Sequence, residues 1–345
     1  MKAVVIHGPG GYRALKLEER PDPVPANGEV LVHTRMAGVN YADCVVRMGL
    51  YESAAAYVGW PITPGFEFSG TVAAVGPGVT AWRVGDEVSG VTRFGGYATH
   101  VVAPTHQLWR RPADWSDAQA AGFPAAFLTA YYALHVLGAA AAGDQVLVHS
   151  AAGGVGGALL QLCHAHGVRA VGVVGRKDKV EVARSLGASE VLCREDGPWW
   201  EEARALARDG YQLVLDASGH ATLKKGYDLL RPTGRIVVYG FHSMLSTSGG
   251  WPNPLSLAWG WLRLPRFNPL HMTGANKSVM AFNLSYLFEH ADPLLKAAAV
   301  LDQLRQDGKI RPLPVKTFPM SAVADAQRAL ESGATVGKLV LETAL

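Results

Sequence analysis

Only three cysteines, Cys44, Cys163 and Cys193, occur in 345 residues, and none lies in a C-x-x-C pair. That excludes a disulfide framework or a cysteine-rich zinc ribbon and points to free thiols in a reducing compartment. An excess of one charge is missing too. Lys and Arg number 32 against 29 Asp and Glu, a net of +3 without any basic run, which excludes an electrostatic nucleic-acid footprint. Met1-Lys2-Ala3-Val4-Val5-Ile6-His7 lacks the long apolar core of a signal peptide and reads as a first strand. The expected location is therefore cytoplasmic. Between Asp117 and Asp144 there is no charged residue, a span long enough to cross a bilayer. Yet it contains Gln119, Thr129 and His135, and Pro124 should split it into two buried helices, so membrane contact is not expected.

Half the residues are hydrophobic, and 39 glycines and 20 prolines fit a turn-rich globular chain long enough for two cores. The first 115 or so residues alternate short β-like runs, such as 30–34, 68–75 and 97–102, with turns at Gly8-Pro9-Gly10-Gly11, Gly76-Pro77-Gly78 and Gly95-Gly96. From Ser116 the pattern becomes helical. Strands then follow at 145–149, 170–174, 190–193, 213–216 and 235–239, each separated by a helix-length stretch. Such alternation means right-handed βαβ units and a doubly wound parallel sheet. A sixth strand is expected at 278–282 and a helix at 294–306. The tail returns to strand, helix and strand at 315–318, 322–331 and 338–341, so head and tail should close into one discontinuous domain, 1–120 with 307–345, around a nucleotide domain at 121–306. An irregular insert, 241–275, holds Trp251, Trp259, Trp261, Arg263 and Arg266. Its four prolines argue against a long amphipathic helix. It reads as a cover for the cleft or a subunit contact before a membrane-docking patch.

The densest signal is Val146-Leu147-Val148-His149-Ser150-Ala151-Ala152-Gly153-Gly154-Val155-Gly156-Gly157, a strand running into a glycine turn and a helix at 158–166. The glycines allow reversal and close approach to a pyrophosphate, and the helix start offers free N–H groups. Ala151 stands where G-x-G-x-x-G has its first glycine, leaving Gly153 and Gly156. A dinucleotide site is expected over Ala152, Gly153, Gly154, Val155 and Gly156.

The chain resembles the medium-chain dehydrogenase/reductase superfamily in Gly38-Val39-Asn40-Tyr41-Ala42-Asp43, Arg47-Met48-Gly49-Leu50-Tyr51, Pro64-Gly65-Phe66-Glu67, Val84-Gly85-Asp86-Glu87-Val88, Thr129-Ala130-Tyr131 and Gly337-Lys338-Leu339-Val340. Within it the chain is similar to the zinc-free quinone oxidoreductase (zeta-crystallin) group, and most to the vesicle amine transport protein branch in the stretches 225–232 and 281–288. The resemblance implies a GroES-like β-barrel beside the Rossmann sheet and a homodimer paired through strand 278–282. Zinc members carry Cys and His where this chain has Asn40 and Phe66, which cannot replace thiolate or imidazole as ligands, so no metal is expected.

The ribose-reading position falls at Gly175-Arg176-Lys177-Asp178-Lys179. Gly175 removes the carboxylate that would repel a 2′-phosphate. Arg176 and Lys179, with Arg194 nearby, supply cations for it, so NADPH is the expected cofactor, against an ordinary charged helix start. The resemblance places Asn40, Thr129 and Lys338 among the cofactor contacts, and Tyr239-Gly240-Phe241 at the strand end should border the same crevice. Without a Lewis acid the acceptor must already be electrophilic, a quinone or a conjugated enone. Asn40, Tyr51 and Tyr41 are the candidates to contact it, although a tyrosine packed in a half-buried loop is an equal reading. A second class stays open: an NADPH-binding redox sensor or membrane-associated scaffold without turnover.

Overall fold

The computed structural model describes residues 1–345 except 246, 249, 289–290 and 344–345. Six strands form one parallel sheet in the order Glu190–Cys193, Arg169–Val174, Gln145–His149, Tyr211–Asp216, Leu230–Val238 and Ser278–Ala281. The chain enters this sheet in the middle and winds outward in both directions, which opens a crevice at the carboxyl ends beside Gln145–His149. Helices cover both faces. Val146, Val148 and Leu160 pack with the segment Asp117–Leu137 on one side, and Leu147, Val171, Tyr211 and Trp199 pack on the other.

The segment Asp117–Leu137 is long and apolar enough to cross a membrane, but most of it is buried inside this core. Pro124 does divide it. The helix Asp117–Ala121 ends at Gly122, and Pro124 opens the helix Pro124–Tyr131 at a first-turn position where its missing N–H is not needed.

Head and tail share a second sheet. The long strand Glu29–Val39 carries two register shifts against Glu67–Val75, between Leu31 and Val32 and between Thr34 and Met36. Residues on the two sides of these bulges find different partners. Residues 29–33 pair with His100–Pro104, while 36–39 pair antiparallel with the tail strand Lys338–Glu342. The tail strand also pairs with Val315–Pro319. A second suture joins the two sheets: Gly337 bridges Gly153 of the glycine turn and donates its N–H to the Ala152 carbonyl at 2.8 Å.

The insert departs from expectation. It contains two short helices, Pro254–Leu262 and Pro269–Ala275. Two of the prolines read as breakers occupy first-turn positions, and Asn253 and Asn268 cap the free N–H groups behind them. Trp251, Leu255, Trp259, Trp261, Leu262 and Leu270 are left exposed.

Candidate active site

The strand Gln145–His149 ends in a reversal built without the first glycine. Ser150 takes the left-handed backbone (φ 55°), and Ala151 is buried against the neighbouring strand, where Gly172 leaves room for its methyl. Gly153 caps the helix Gly154–Ala165, so Gly154 and Val155 form its first turn. A β-carbon on Gly156 would stand 2.2 Å from the Ser150 carbonyl oxygen, so close packing of turn and helix demands glycine there. Ala152 is buried beside it. The result is a helix N-terminus lined by backbone N–H groups at the mouth of the crevice, a cradle for a phosphate.

Several buried polar atoms on this side of the crevice have no hydrogen-bond partner among the described residues. They are Arg194 Nε, the Tyr239 hydroxyl, the Ser218 hydroxyl and both ring nitrogens of His149. Asp216 organises the floor: its carboxylate accepts from the Ser218 and Gly219 N–H groups at 2.7 and 2.9 Å and from the Thr222 hydroxyl at 2.6 Å. Tyr239, Gly240 and Phe241 follow the fifth strand here, with Phe241 partly exposed. His149 lies 3.9 Å from Asp216 and edge-on to Trp199. Burial lowers its pKa from an ordinary 6.5 to about 4, against the pull of Asp216.

Unfolded, this histidine takes its proton near 6.5, whereas folded it stays neutral down to about 4, so stability is lost as pH falls through that window. We expect His149→Phe to flatten the fall in stability between pH 6.5 and 4 by on the order of 3 kcal/mol. Chemical denaturation at both pH values checks this, and equal slopes in the two proteins would refute it.

Gly175 is exposed, with no positive φ and nothing within 4 Å of where a β-carbon would stand, so neither backbone nor packing requires glycine. Arg176 is exposed and paired with Asp178 at 3.2 Å. Lys179 departs from its expected role as a free phosphate partner: it is buried, and its ammonium donates to the carbonyls of Gly333 and Thr335, both at 2.6 Å. Arg194 is left as the inward-facing cation at this end. Burial draws its pKa down, with Asp216 opposing.

At the position corresponding to the zinc site, Asn40 and Glu67 meet Lys338. The Lys338 ammonium donates to Glu67 Oε1 at 2.6 Å, Asn40 Oδ1 at 2.7 Å and the Val39 carbonyl at 3.1 Å. Asn40 Nδ2 donates to Glu67 Oε1 at 2.9 Å, and the Ala125 N–H to Glu67 Oε2 at 2.8 Å. Lys338, expected among the cofactor contacts, is a buried cation whose three protons are given to Glu67, Asn40 and the Val39 carbonyl, while its stem runs against Gly154 of the turn. Phe66 is buried against Tyr51 and Phe94. This donor set, an amide, a phenyl ring and a carboxylate already paired with an ammonium, does not fit zinc. Among the described residues no group of three or more His, Cys, Asp or Glu is placed to share a metal.

The tyrosine hydroxyls find their partners outside this cluster. The Tyr51 hydroxyl donates to Asn283 Oδ1 at 2.8 Å, and that of Tyr41 reaches the His242 carbonyl at 3.4 Å. Burial raises the pKa of both. Thr129 is half-buried on the helix Pro124–Tyr131. Sequence reasoning passed over His149, Asp216 and the pairing of Glu67 with Lys338. The one available signal was a histidine closing an otherwise apolar strand.

Comparison with known proteins agrees with this architecture. The alcohol dehydrogenase GroES-like domain family matches residues 26–113, and the zinc-binding dehydrogenase family matches residues 154–258. The synaptic vesicle membrane protein VAT-1 homolog of Danio rerio is 34% identical over 99% of this chain and 70% of its own length. The quinone oxidoreductase of Escherichia coli, solved in complex with NADPH, superposes with a TM-score of 0.86 at 26% identity, covering 99% of this chain and all of that one. The CurK enoyl reductase superposes at 0.85 and 25% identity, covering 99% and 98%. The chain therefore belongs to the medium-chain dehydrogenase/reductase superfamily of nicotinamide-dependent oxidoreductases, in its quinone oxidoreductase group and VAT-1-like branch.

Proposed function

We propose that the protein is an NADPH-dependent, zinc-independent reductase that delivers a hydride to a quinone or a conjugated enone. The observation that carries the reading is the Asn40–Glu67–Lys338 cluster: at the place of a Lewis acid it offers a hydrogen-bond donor, and its one carboxylate is already paired with an ammonium. An acceptor that is electrophilic on its own needs no more than orientation and a donor at its oxygen. The E. coli quinone oxidoreductase and the CurK enoyl reductase act on acceptors of these two kinds by name.

The crevice residues fit the cofactor. The N–H groups of Gly154, Val155 and Gly156 would take the pyrophosphate, Arg194 with Arg176 the 2′-phosphate, and Thr129, Asn40 and Tyr239-Gly240-Phe241 the nicotinamide end. NADPH bound there supplies the hydride. Asn40 donates to the acceptor's oxygen, and the exclusion of water falls to Phe66, Phe94 and Tyr51, which line the aromatic side. The proton that completes the reduction comes from solvent, since the Tyr51 hydroxyl is already engaged.

Accordingly, Tyr51→Phe is expected to keep kcat within about threefold while losing roughly 1 kcal/mol of stability with its hydrogen bond. A fall in kcat beyond the hundredfold that a general acid can contribute would restore Tyr51 as the proton donor.

The reading is tested by following NADPH consumption with a panel of quinones and enones, with NADH as comparator. Tight NADPH binding without turnover on any acceptor would favour the second reading, a membrane-associated NADPH-binding scaffold. That reading draws on the exposed tryptophans and leucines of the insert, and on the lack of any Asp or Glu between Asp228 and Glu289. We take the assembly to be a homodimer paired through the edge strand Ser278–Ala281, whose one sheet neighbour among the described residues is Leu230–Val238, and the location to be cytoplasmic.

A further inference from the structure

We propose that Lys338 and Glu67 are positioning residues that lock the Asn40 side-chain amide in one orientation and polarise it, so that its remaining N–H is the donor aimed at the acceptor's oxygen. This rests on the reductase reading above. The orientation follows from chemistry. An ammonium has only protons to give, so the atom 2.7 Å from Lys338 Nζ must be the Asn40 oxygen. A carboxylate only accepts, so the atom 2.9 Å from Glu67 Oε1 must be the Asn40 nitrogen. A flipped amide would face both partners with the wrong group. One Nδ2 proton remains without a partner among the described residues.

The clamp is anchored at both ends. Glu67 Oε2 accepts from the Ala125 N–H at the start of the helix Pro124–Tyr131, which fixes the carboxylate. The Lys338 stem passes between Gly122 and Gly154, where β-carbons would come within 3.1 and 2.8 Å of it. It starts beside Gly337, which is bridged to Gly153. One lysine therefore runs from the phosphate-binding turn to the amide, and sets where Asn40 stands relative to whatever docks on that turn. An ammonium hydrogen-bonded to the amide oxygen also draws electrons from the nitrogen and strengthens the free N–H as a donor.

The test compares Asn40→Ala, Lys338→Met and their combination, with a naphthoquinone and an alkyl enone as acceptors and NADPH affinity read by nicotinamide fluorescence. Lys338→Met should lower kcat on the order of 100-fold, as loss of one preorganised donor does, and leave the NADPH dissociation constant within threefold. Because Lys338 acts through Asn40, the double variant should be no slower than Asn40→Ala alone. Multiplying effects, or a kcat for Lys338→Met within threefold of wild type, would overturn the proposal. If the lone Glu67 left by Lys338→Met unfolds the protein, Lys338→Met with Glu67→Gln removes both charges together and takes its place. A second readout does not depend on turnover. In protein labelled with 15N-asparagine, the Asn40 side-chain amide protons should be displaced from free-asparagine chemical shifts and exchange slowly with water, and in Lys338→Met they should move toward the free shifts and exchange faster. If they do not change, the clamp is refuted even if no acceptor is ever found. If they change but the wild type reduces nothing, the reductase reading fails and the clamp stands as a fixed donor without an acceptor.

Discussion

Gly175→Asp is expected to weaken NADPH binding on the order of 100-fold and to improve NADH binding, which reverses the cofactor preference. The glycine stands just past the strand Arg169–Val174, where nucleotide domains that take NADH place a carboxylate on the ribose diol. Its surroundings make the substitution clean. The backbone is not left-handed, and nothing lies within 4 Å of a β-carbon, so the melting temperature should barely move. A new carboxylate within about 4 Å of a 2′-phosphate would cost about 2–3 kcal/mol at an exposed site, which corresponds to the hundredfold. The penalty should shrink as salt is added, because the site is open to solvent. On the proposed assignment of Arg194 to the extra phosphate, Arg194→Ala should act in the same direction on NADPH and leave NADH unchanged, its Nε having no hydrogen-bond partner among the described residues. Dissociation constants for both cofactors at two ionic strengths settle the matter. A ratio of NADPH to NADH affinity that Gly175→Asp leaves untouched would remove this end of the crevice from the recognition of the phosphate.

How much of this was legible in the sequence depends on how far apart the interacting residues lie. The glycine turn and the six parallel strands announce themselves locally, through apolar runs of strand length separated by helix-length stretches. The joining of head and tail followed from strand-rich ends bracketing a nucleotide domain. The left-handed Ser150, which does the work of the missing first glycine, could not be read, because the room that Ala151 needs is made by Gly172 on another strand. The lysines show the same limit more sharply. Lys179 looks like a phosphate ligand beside Gly175, but its partners are carbonyls at Gly333 and Thr335. Lys338 is expected from the resemblance among the cofactor contacts, but the partners its ammonium finds lie nearly 300 residues earlier. Both are drawn inward by acceptors that only the closed chain brings near. In the insert, prolines were read by their usual effect inside a helix, while two of them sit where a helix begins.

The same distance effect governs stability, and Arg47→Met is expected to be among the most damaging single substitutions outside the crevice. Arg47 is fully buried. Its Nε donates to Gln327 Oε1 and one Nη to the Gly250 carbonyl, both at 2.8 Å, and the other Nη pairs with Glu331. The guanidinium also lies 4.5 Å over the ring of Tyr12, whose hydroxyl donates to Glu331 and whose pKa is pushed up to about 12 by burial and that carboxylate. One cation therefore ties the helix Tyr41–Arg47, the tail helix Val323–Glu331 and the insert at Gly250. Methionine fills much of the volume and supplies no charge, so Glu331 would stay buried beside the Tyr12 hydroxyl and the Cys44 thiol, neither of which brings a positive charge. Breaking one half of a buried pair costs about 3–5 kcal/mol, because the other charge is left uncompensated. In a chain of 345 residues that is a melting temperature lower by roughly 4–7 °C. The explanation predicts its own rescue. Glu331→Gln in the Arg47→Met background removes the stranded charge and should recover most of the loss, whereas Glu331→Gln alone should be costly, since it strands the arginine instead. A double-mutant cycle by thermal melts decides it: additive losses would mean that Arg47 contributes packing and not a paired charge. Because the Gly250 carbonyl loses its donor in every Arg47 variant, protease cleavage within the insert should stay faster than in wild type even where the melting temperature is restored.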